Sequence, residues 1–414
     1  MLRGRLEHFL RIFSGASVAG FALVVAAGCA SLDAGPPTTL PGPDLFERLT
    51  ADTPAPAVDV VEVWVCAVPL TTTEPLYGDM TLRLGLSPQQ IVDAIGTRVH
   101  DYFATISFGR YDMRFQAGQT YAMDDDDTAD DCVDAALRRS SSEADIVLAV
   151  ADAEHAGNLS GGWGRPGTFF ECTGTCAART TGRSAYVGAS DFSPDWGRVP
   201  LLDLIEHELG HTLGLPHSGI VVGRSTADGT GTELAYTSAL DLMSDSAAPR
   251  AVDPARRDAP DTLGINRLDL GWLDDDDVVV VDGTTAPAAP TTVRLAPAST
   301  PIIGGNLASR PPRLAVIRLG EHRLVSIEYL VPTGLHDHLP SAGVVVHLVS
   351  DATADQAGPG VLRIQRPIGS EAPHTDLLGD GESLVVEGWG PSWTVQVVAL
   401  SPTSAEVVIA PTGG

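Results

Sequence analysis

Five positions between residues 207 and 217 constrain this chain more than anything else in it. They read His207-Glu208-x-x-His211-x-x-Gly214-x-x-His217, inside the run LLDLIEHELGHTLGLPHS. On a helix, side chains four apart leave the same face, so the His207 and His211 imidazoles project together. That spacing suits two neutral nitrogens on one Zn2+ at ~2.0–2.1 Å. Glu208 follows the first ligand and projects beside it, within reach of a metal-activated water. Glycine tolerates positive φ and ends helices cheaply, so a bend at Gly214 can return His217 to the metal. Three histidines with a fourth position left for water is the arrangement of a catalytic zinc. A bare H-E-x-x-H arises by chance on helix surfaces. Five fixed positions among Leu201, Leu202, Leu204, Ile205, Leu209, Leu213 and Leu215 are much harder to reach that way.

The chain has 414 residues, 43% of them hydrophobic, enough for two to three domains at ~100–200 residues each. Its net charge of −27 repels phosphate and argues against a nucleic-acid partner. Residues 1–30 read as an export signal. Arg3, Arg5 and Arg11 form a basic start, and Phe13–Gly28 has the length of a signal core, short for a membrane span. The sequence Val25-Ala26-Ala27-Gly28-Cys29-Ala30 resembles a bacterial lipobox, with Ala26 where leucine is usual. Cys29 is therefore the candidate lipidation site. Cleavage near Ala30 and an uncleaved anchor are the alternatives. One acyl chain would hold a soluble body at a membrane surface. Cys66, Cys132, Cys172 and Cys176 remain, an even number that in an exported chain suggests two disulfides with three connectivities. A short Cys172–Cys176 loop would leave Cys66–Cys132.

Residues 31–57, rich in Pro, Thr and Ala, read as a flexible linker. Residues 58–275 form the expected catalytic domain. Val58–Val68 is a strand candidate, and Ser87–Thr105 a helix with Ser87 at its N-cap and Pro88 in its first turn. Thr105–Phe115 alternates like a strand, Asp131–Arg139 reads as a short helix, and Ala144–Ala151 as a buried strand. The acidic run Asp124–Asp127 reads as a solvated loop; Ca2+ is the alternative, with no EF-hand spacing to support it. The Gly-rich stretch 154–195 suits substrate-binding loops and an edge strand at Tyr186–Ala189. Met243 lies in an apolar turn downstream, where a thioether can pack as a soft floor beneath imidazoles. Asp261–Leu273 reads as a helix. From residue 276 onward, short valine-rich segments alternate with turns, which suggests an all-β, sandwich-like module. Its His336, His338, His347 and His374 read as loop or surface residues.

The zinc motif followed by Met243 resembles the metzincin zinc peptidases. The similarity is closer to the immune-inhibitor-A-like and gametolysin-like branches, through Asp269-Leu270-Gly271-Trp272, the stretch Ser326–Val349, and the segment Tyr102-Phe103 to Ser107-Phe108-Gly109-Arg110. The resemblance implies an α+β fold, with a twisted sheet plus an active-site helix and the β-rich module after it. It also implies one catalytic Zn2+ on His207, His211 and His217, Glu208 as general base, and Met243 as the Met-turn residue. Where some members carry a tyrosine two residues after the methionine, this chain has Asp245, and Tyr236 is the nearby candidate. The expected function is an exported, monomeric zinc endopeptidase acting on protein or peptide substrates, at the cell surface or secreted. A catalytically weak surface-binding lipoprotein that retains a structural zinc is the alternative. No Gly-x-Ser-x-Gly elbow, phosphate loop or dinucleotide fingerprint accompanies the motif.

Overall fold

The computed structural model describes residues 44–51, 56–75, 81–158, 161–167, 181–192, 202–222, 232–246, 258–284, 289–299, 310–350, 360–364, 377–387 and 391–412. The export signal, Cys29, Cys172, Cys176 and His374 lie outside them. The described chain enters through a short helix, α1 (Leu45–Leu49). Asp44 caps it by accepting from Glu47 N at 2.9 Å, and Glu47 returns its carboxylate to Asp44 N at 3.1 Å. Leu45 and Leu49 are buried with Leu263, Leu314 and Leu324. The linker expected over 31–57 is thus corrected at its end: two leucines one helical turn apart dock this piece onto the fold.

The strand β1 (Val58–Ala67) is β-branched and almost wholly buried. After it, α2 (Pro88–Ile106) starts at the expected Ser87 cap, completed as a capping box by Gln90. Ile91, Ile95, Val99, Tyr102 and Phe103 face the core. The strand expected at Thr105–Phe115 begins only at Asp112, as β2 (Asp112–Ala122). Helical bonds persist through Ser107 N to Phe103 O, and Phe108 and Gly109 then turn left-handed, with φ of 58° and 76°. Apolar alternation over that stretch is a helix end and a turn, not a strand. The next helix, α3 (Ala129–Arg139), places Asp130 and Asp131 in its first turn, where the helix dipole favours negative charge. Cys132 on α3 is joined to Cys66 on β1, one of the pairings left open by the sequence.

With β3 (Ile146–Ala151), β4 (Gly162–Arg165) and β5 (Arg183–Val187), these strands make a five-stranded sheet in the order β2-β1-β3-β5-β4. All neighbours are parallel except β4, which runs antiparallel to β5. The expected edge strand at Tyr186–Ala189 is therefore corrected. Its Tyr186 and Val187 end the inner strand β5, flanked on both sides, Ala189 begins a short helical turn, and Gly162–Arg165 is the edge. The helix α4 (Leu202–Thr212) packs its Leu202, Ile205 and Leu209 on the same core as α2, together with Met243 and Trp272.

Beyond α4, the hairpin β6 (Ser218–Val222) and β7 (Thr232–Ala235) leaves this sheet and joins another. The helix expected over Asp261–Leu273 is confined to α5 (Gly264–Asp269). Asp261 and Thr262 instead hydrogen-bond neighbouring segments, and Gly271, at φ 68°, ends the turn after it. The strands β8 (Val278–Asp282), β9 (Thr291–Leu295), β10 (Leu314–Gly320), β11 (Arg323–Leu330), β12 (Gly343–Ser350), β13 (Gly360–Ile364), β14 (Ser383–Val386), β15 (Trp393–Ser401) and β16 (Ser404–Pro411) complete the chain. They form a seven-stranded sheet, β7-β6-β13-β12-β11-β10-β8, and a four-stranded one, β14-β15-β16-β9. Ala315, Ile317, Val325 and Ile327 face Val395, Val407 and Ile409 between the sheets, whereas Leu314, Val316 and Leu324 face α5 and α1. The fold is α+β. Its seven-stranded sheet takes strands from both sides of residue 276.

Glu328 on β11 lies in the second of these layers. Its Oε2 accepts from Gly264 N at 3.0 Å, while Oε1 is buried with no hydrogen-bond partner among the described residues. Burial pushes its carboxyl up to about 7. A folded-state value above the ordinary carboxylate range means the folded form holds an extra proton, so the stability present at acid pH is lost as pH rises through about 7. Glu328→Gln is expected to stabilise the fold at pH 8 by on the order of 3 kcal/mol at most, raising the thermal midpoint there, and to change it little at pH 4. Thermal unfolding of both proteins at the two pH values measures this.

Candidate metal centre

The site is built on the last turn of α4 and the segment that follows. The chain leaves the helix through paired bonds from Leu215 N to Gly210 O and from Gly214 N to His211 O, with Gly214 at φ 94°. This is a Schellman closure, and it needs the left-handed residue that glycine supplies. It turns the chain so that His217 comes back beside the helix. One nitrogen from each of His207, His211 and His217 then lies within 4.8 Å of the others. Among the described residues, no other set of His, Cys, Asp or Glu side chains is spaced to hold a metal.

Each imidazole is oriented by its surroundings. His207 Nδ1 bonds Leu242 O at 2.8 Å, and His211 Nδ1 bonds Leu215 O at 2.8 Å. A carbonyl can only accept, so both rings carry their proton on Nδ1 and keep the Nε2 lone pair for a ligand. The Nε2 atoms of His211 and His217 face each other at 2.8 Å. Burial lowers all three: His207 in direction, His211 to about 3 and His217 to about 4, the last two also through neighbouring imidazoles. Neutral rings are the form a metal needs. Donor type and number, with the tautomers of His207 and His211, therefore fit a Zn2+ ion, whose ligand nitrogens sit about 3.3 Å apart in tetrahedral geometry at ~2.0–2.1 Å.

Met243 is fully buried under the helix. A Cβ at Gly210 would come within 2.7 Å of its Sδ, so the thioether lies directly against the turn that carries His207 and His211. The glycine and the methionine are complementary, and Gly210 is a partner that motif reasoning overlooked. Glu208 is buried to 4% exposure, and it lines the same cleft as the histidines. A Cβ at Gly162 would stand 3.1 Å from its Oε1, and one at Gly164 would collide with its carbonyl at 2.0 Å. The edge strand β4 therefore touches α4 directly, and only glycine fits there.

The cleft has a volume of about 560 Å3 and is bounded by Gly161–Pro166 on one side and by Leu215, Pro216, Tyr236, Ser244 and Ser246 on the other. Tyr236 reaches it from the β6–β7 hairpin. Its hydroxyl lies 3.0 Å from His217 Nε2, and its backbone is left-handed at φ 56°. Burial and the charge of Glu208 push the phenol upward, so it stays protonated. Asp245 is occupied in the turn below, where its N–H donates to Ser238 O.

Two of the C-terminal histidines are not surface groups, and His338 sits half-buried in a turn. His336 and His347 are each 1% exposed, and His336 Nε2 and His338 Nε2 bond Leu240 O and Ala239 O at 3.2 and 2.8 Å. They brace the segment that leads into Met243. No sequence motif marks this contact, because it joins residues about a hundred positions apart. His211→Ala is expected to reduce bound zinc from one equivalent to near none, as measured by elemental analysis of the purified protein. No protein-family model matches the chain, and no curated protein matches it.

Proposed function

We propose that the chain is an exported zinc-dependent endopeptidase of the metzincin kind. The observation that carries this reading is the convergence of His207, His211 and His217 in an open cleft that also holds Glu208 and runs along a sheet edge. When bound, zinc supplies Lewis acidity, which acidifies water toward ~7 and polarises a carbonyl oxygen.

The protein groups supply the rest. Among the described residues β4 ends its sheet, and along that edge an extended peptide can add as a further strand. On this reading a peptide bound there presents its scissile carbonyl to Glu208, which lines the same cleft. Glu208 takes the proton of the attacking water as the new C–O bond forms. It then passes that proton to the departing amine nitrogen as the C–N bond breaks. The Tyr236 hydroxyl, at 3.0 Å from His217 Nε2, is the donor available to the negative oxygen that develops meanwhile. The export signal and the disulfide chemistry of Cys66 and Cys132 agree with action outside the cytoplasm. Among the described residues no helix is long and apolar enough to cross a membrane.

Glu208→Gln is expected to abolish cleavage of casein or a mixed peptide library while zinc content stays at the wild-type level. Wild-type protein that binds zinc but cleaves nothing, with or without a chelator, would favour the structural-zinc lipoprotein. Tyr236→Phe should lower kcat by about 10²-fold with little change in KM; steady-state kinetics on a cleaved peptide decide it.

A further inference from the structure

Behind the histidines lies Asp241, fully buried in the turn that precedes Met243. Its carboxylate is the meeting point of three chain segments. From the first, Ser218 Oγ donates to Oδ2 at 2.5 Å. Ser218 is the residue immediately after His217, and its N–H donates to Met243 O at 2.8 Å. From the second, the Met243 N–H donates to the same carboxylate, and Ser244 N–H closes onto Asp241 O at 3.1 Å. Leu242, held between those two bonds, presents the carbonyl that orients His207. From the third, Asn266 Nδ2 donates to Oδ1 at 3.2 Å, and Thr262 Oγ1 and Leu263 N each donate at 3.4 Å.

His217 needs such a device. His207 and His211 are fixed by the helix that carries them, but His217 stands beyond the Schellman turn on extended chain. Its direction depends on where Ser218 is held. The Leu242 carbonyl likewise belongs to a turn, not to a helix or strand. We infer that Asp241 is a positioning residue for the metal centre: one carboxylate ties the segment carrying His217 to the turn that orients His207, so that both rings aim at one point. The inference rests on the zinc-site reading above. A carboxylate suits the task because it only accepts, and every group converging on it is a donor. An asparagine in its place would offer one acceptor oxygen and turn an NH2 group toward other donors.

The test compares full-length wild type with Asp241→Asn, Ser218→Ala and Asp59→Asn. Asp59 is an equally buried carboxylate, bonded to Tyr111 Oη at 2.7 Å and Arg183 Nη1 at 2.6 Å, and it has no bond to the site segments. Zinc affinity is read by competition with a chromophoric chelator, and the ligand field by the visible spectrum of the Co2+-loaded proteins. Asp241→Asn and Ser218→Ala are expected to weaken zinc binding by about 10–100-fold and to alter the Co2+ bands. Asp59→Asn is expected to lower the thermal midpoint while both metal readouts stay unchanged. Should Asp241→Asn fail to fold, Ser218→Ala decides, since it keeps the carboxylate and removes only the link to His217. Wild-type affinity in the folded variants, or an equal loss in Asp59→Asn, overturns the positioning role and leaves the zinc reading intact. A wild-type chain that takes up no zinc overturns both.

Discussion

The bond from His207 Nδ1 to Leu242 O, at 2.8 Å, is the contact on which the centre depends. It joins the helix that carries two of the three histidines to a turn that has no regular secondary structure of its own. A carbonyl in a turn can fix an imidazole only if the turn itself is fixed. Here it is held from several sides: Leu242 N donates to Asp261 O at 3.0 Å, Met243 presses on Gly210, and His336 and His338 hold the carbonyls of Leu240 and Ala239. The order of causes runs inward, from packed strands to turn, from turn to carbonyl, and from carbonyl to ring.

The β-rich half is therefore part of the site's construction. The parallel pairing of β6 with β13 starts at Ser218, one residue after His217. The third histidine thus stands at the start of an inner strand of a sheet whose strands, apart from the β6–β7 hairpin, come from residues 278–364. A buried polar cluster docks α5 against α2. Arg267 on α5, 1% exposed, donates to Ile106 O at the end of α2 at 2.7 Å and to Thr262 O at 2.8 Å, and it pairs with Asp261. Burying a guanidinium is costly unless its donors are filled. Because these acceptors lie on separate segments, filling them sets the docking of α5 in a way that leucines alone would not.

The helical motif and the β-rich character of the later residues were legible because each is a local pattern. Spacing of four puts His207 and His211 on one face whatever surrounds them, and Gly214 announces its own turn. The Ser87 cap was legible for the same reason. What escaped was non-local. Thr105–Phe115 alternates in polarity, yet its first residues complete a helix whose last bonds come from the preceding turn. Gly162 and Gly164 read as loop because the cause of their small size, the backbone of Glu208 and the side chain of His211, lies more than forty residues away. Asp241, between Leu240 and Leu242, did carry a signal: a lone carboxylate in an apolar run needs donors to be buried. Spacing cannot say which donors, and they come from residues 218, 262, 263 and 266.

The glycines of β4 also explain why the cleft lies where it does. A strand and a helix that pack through ordinary side chains stand about 10 Å apart. Here a Cβ on Gly164 would lie 2.6 Å from that of His211, so the strand backbone rests on the helix surface. Trp163 and Arg165 alternate to the other face, where Trp163 stacks on Tyr186 at 6.0 Å and Arg165 covers Trp163 at 3.7 Å while pairing with Asp130. The large side chains hold the strand down from behind, and the glycines leave its front bare. Along Gly162 and Gly164 the strand backbone thus meets the Glu208 side chain and carbonyl and the His211 Cβ directly, on the helix that carries the histidines.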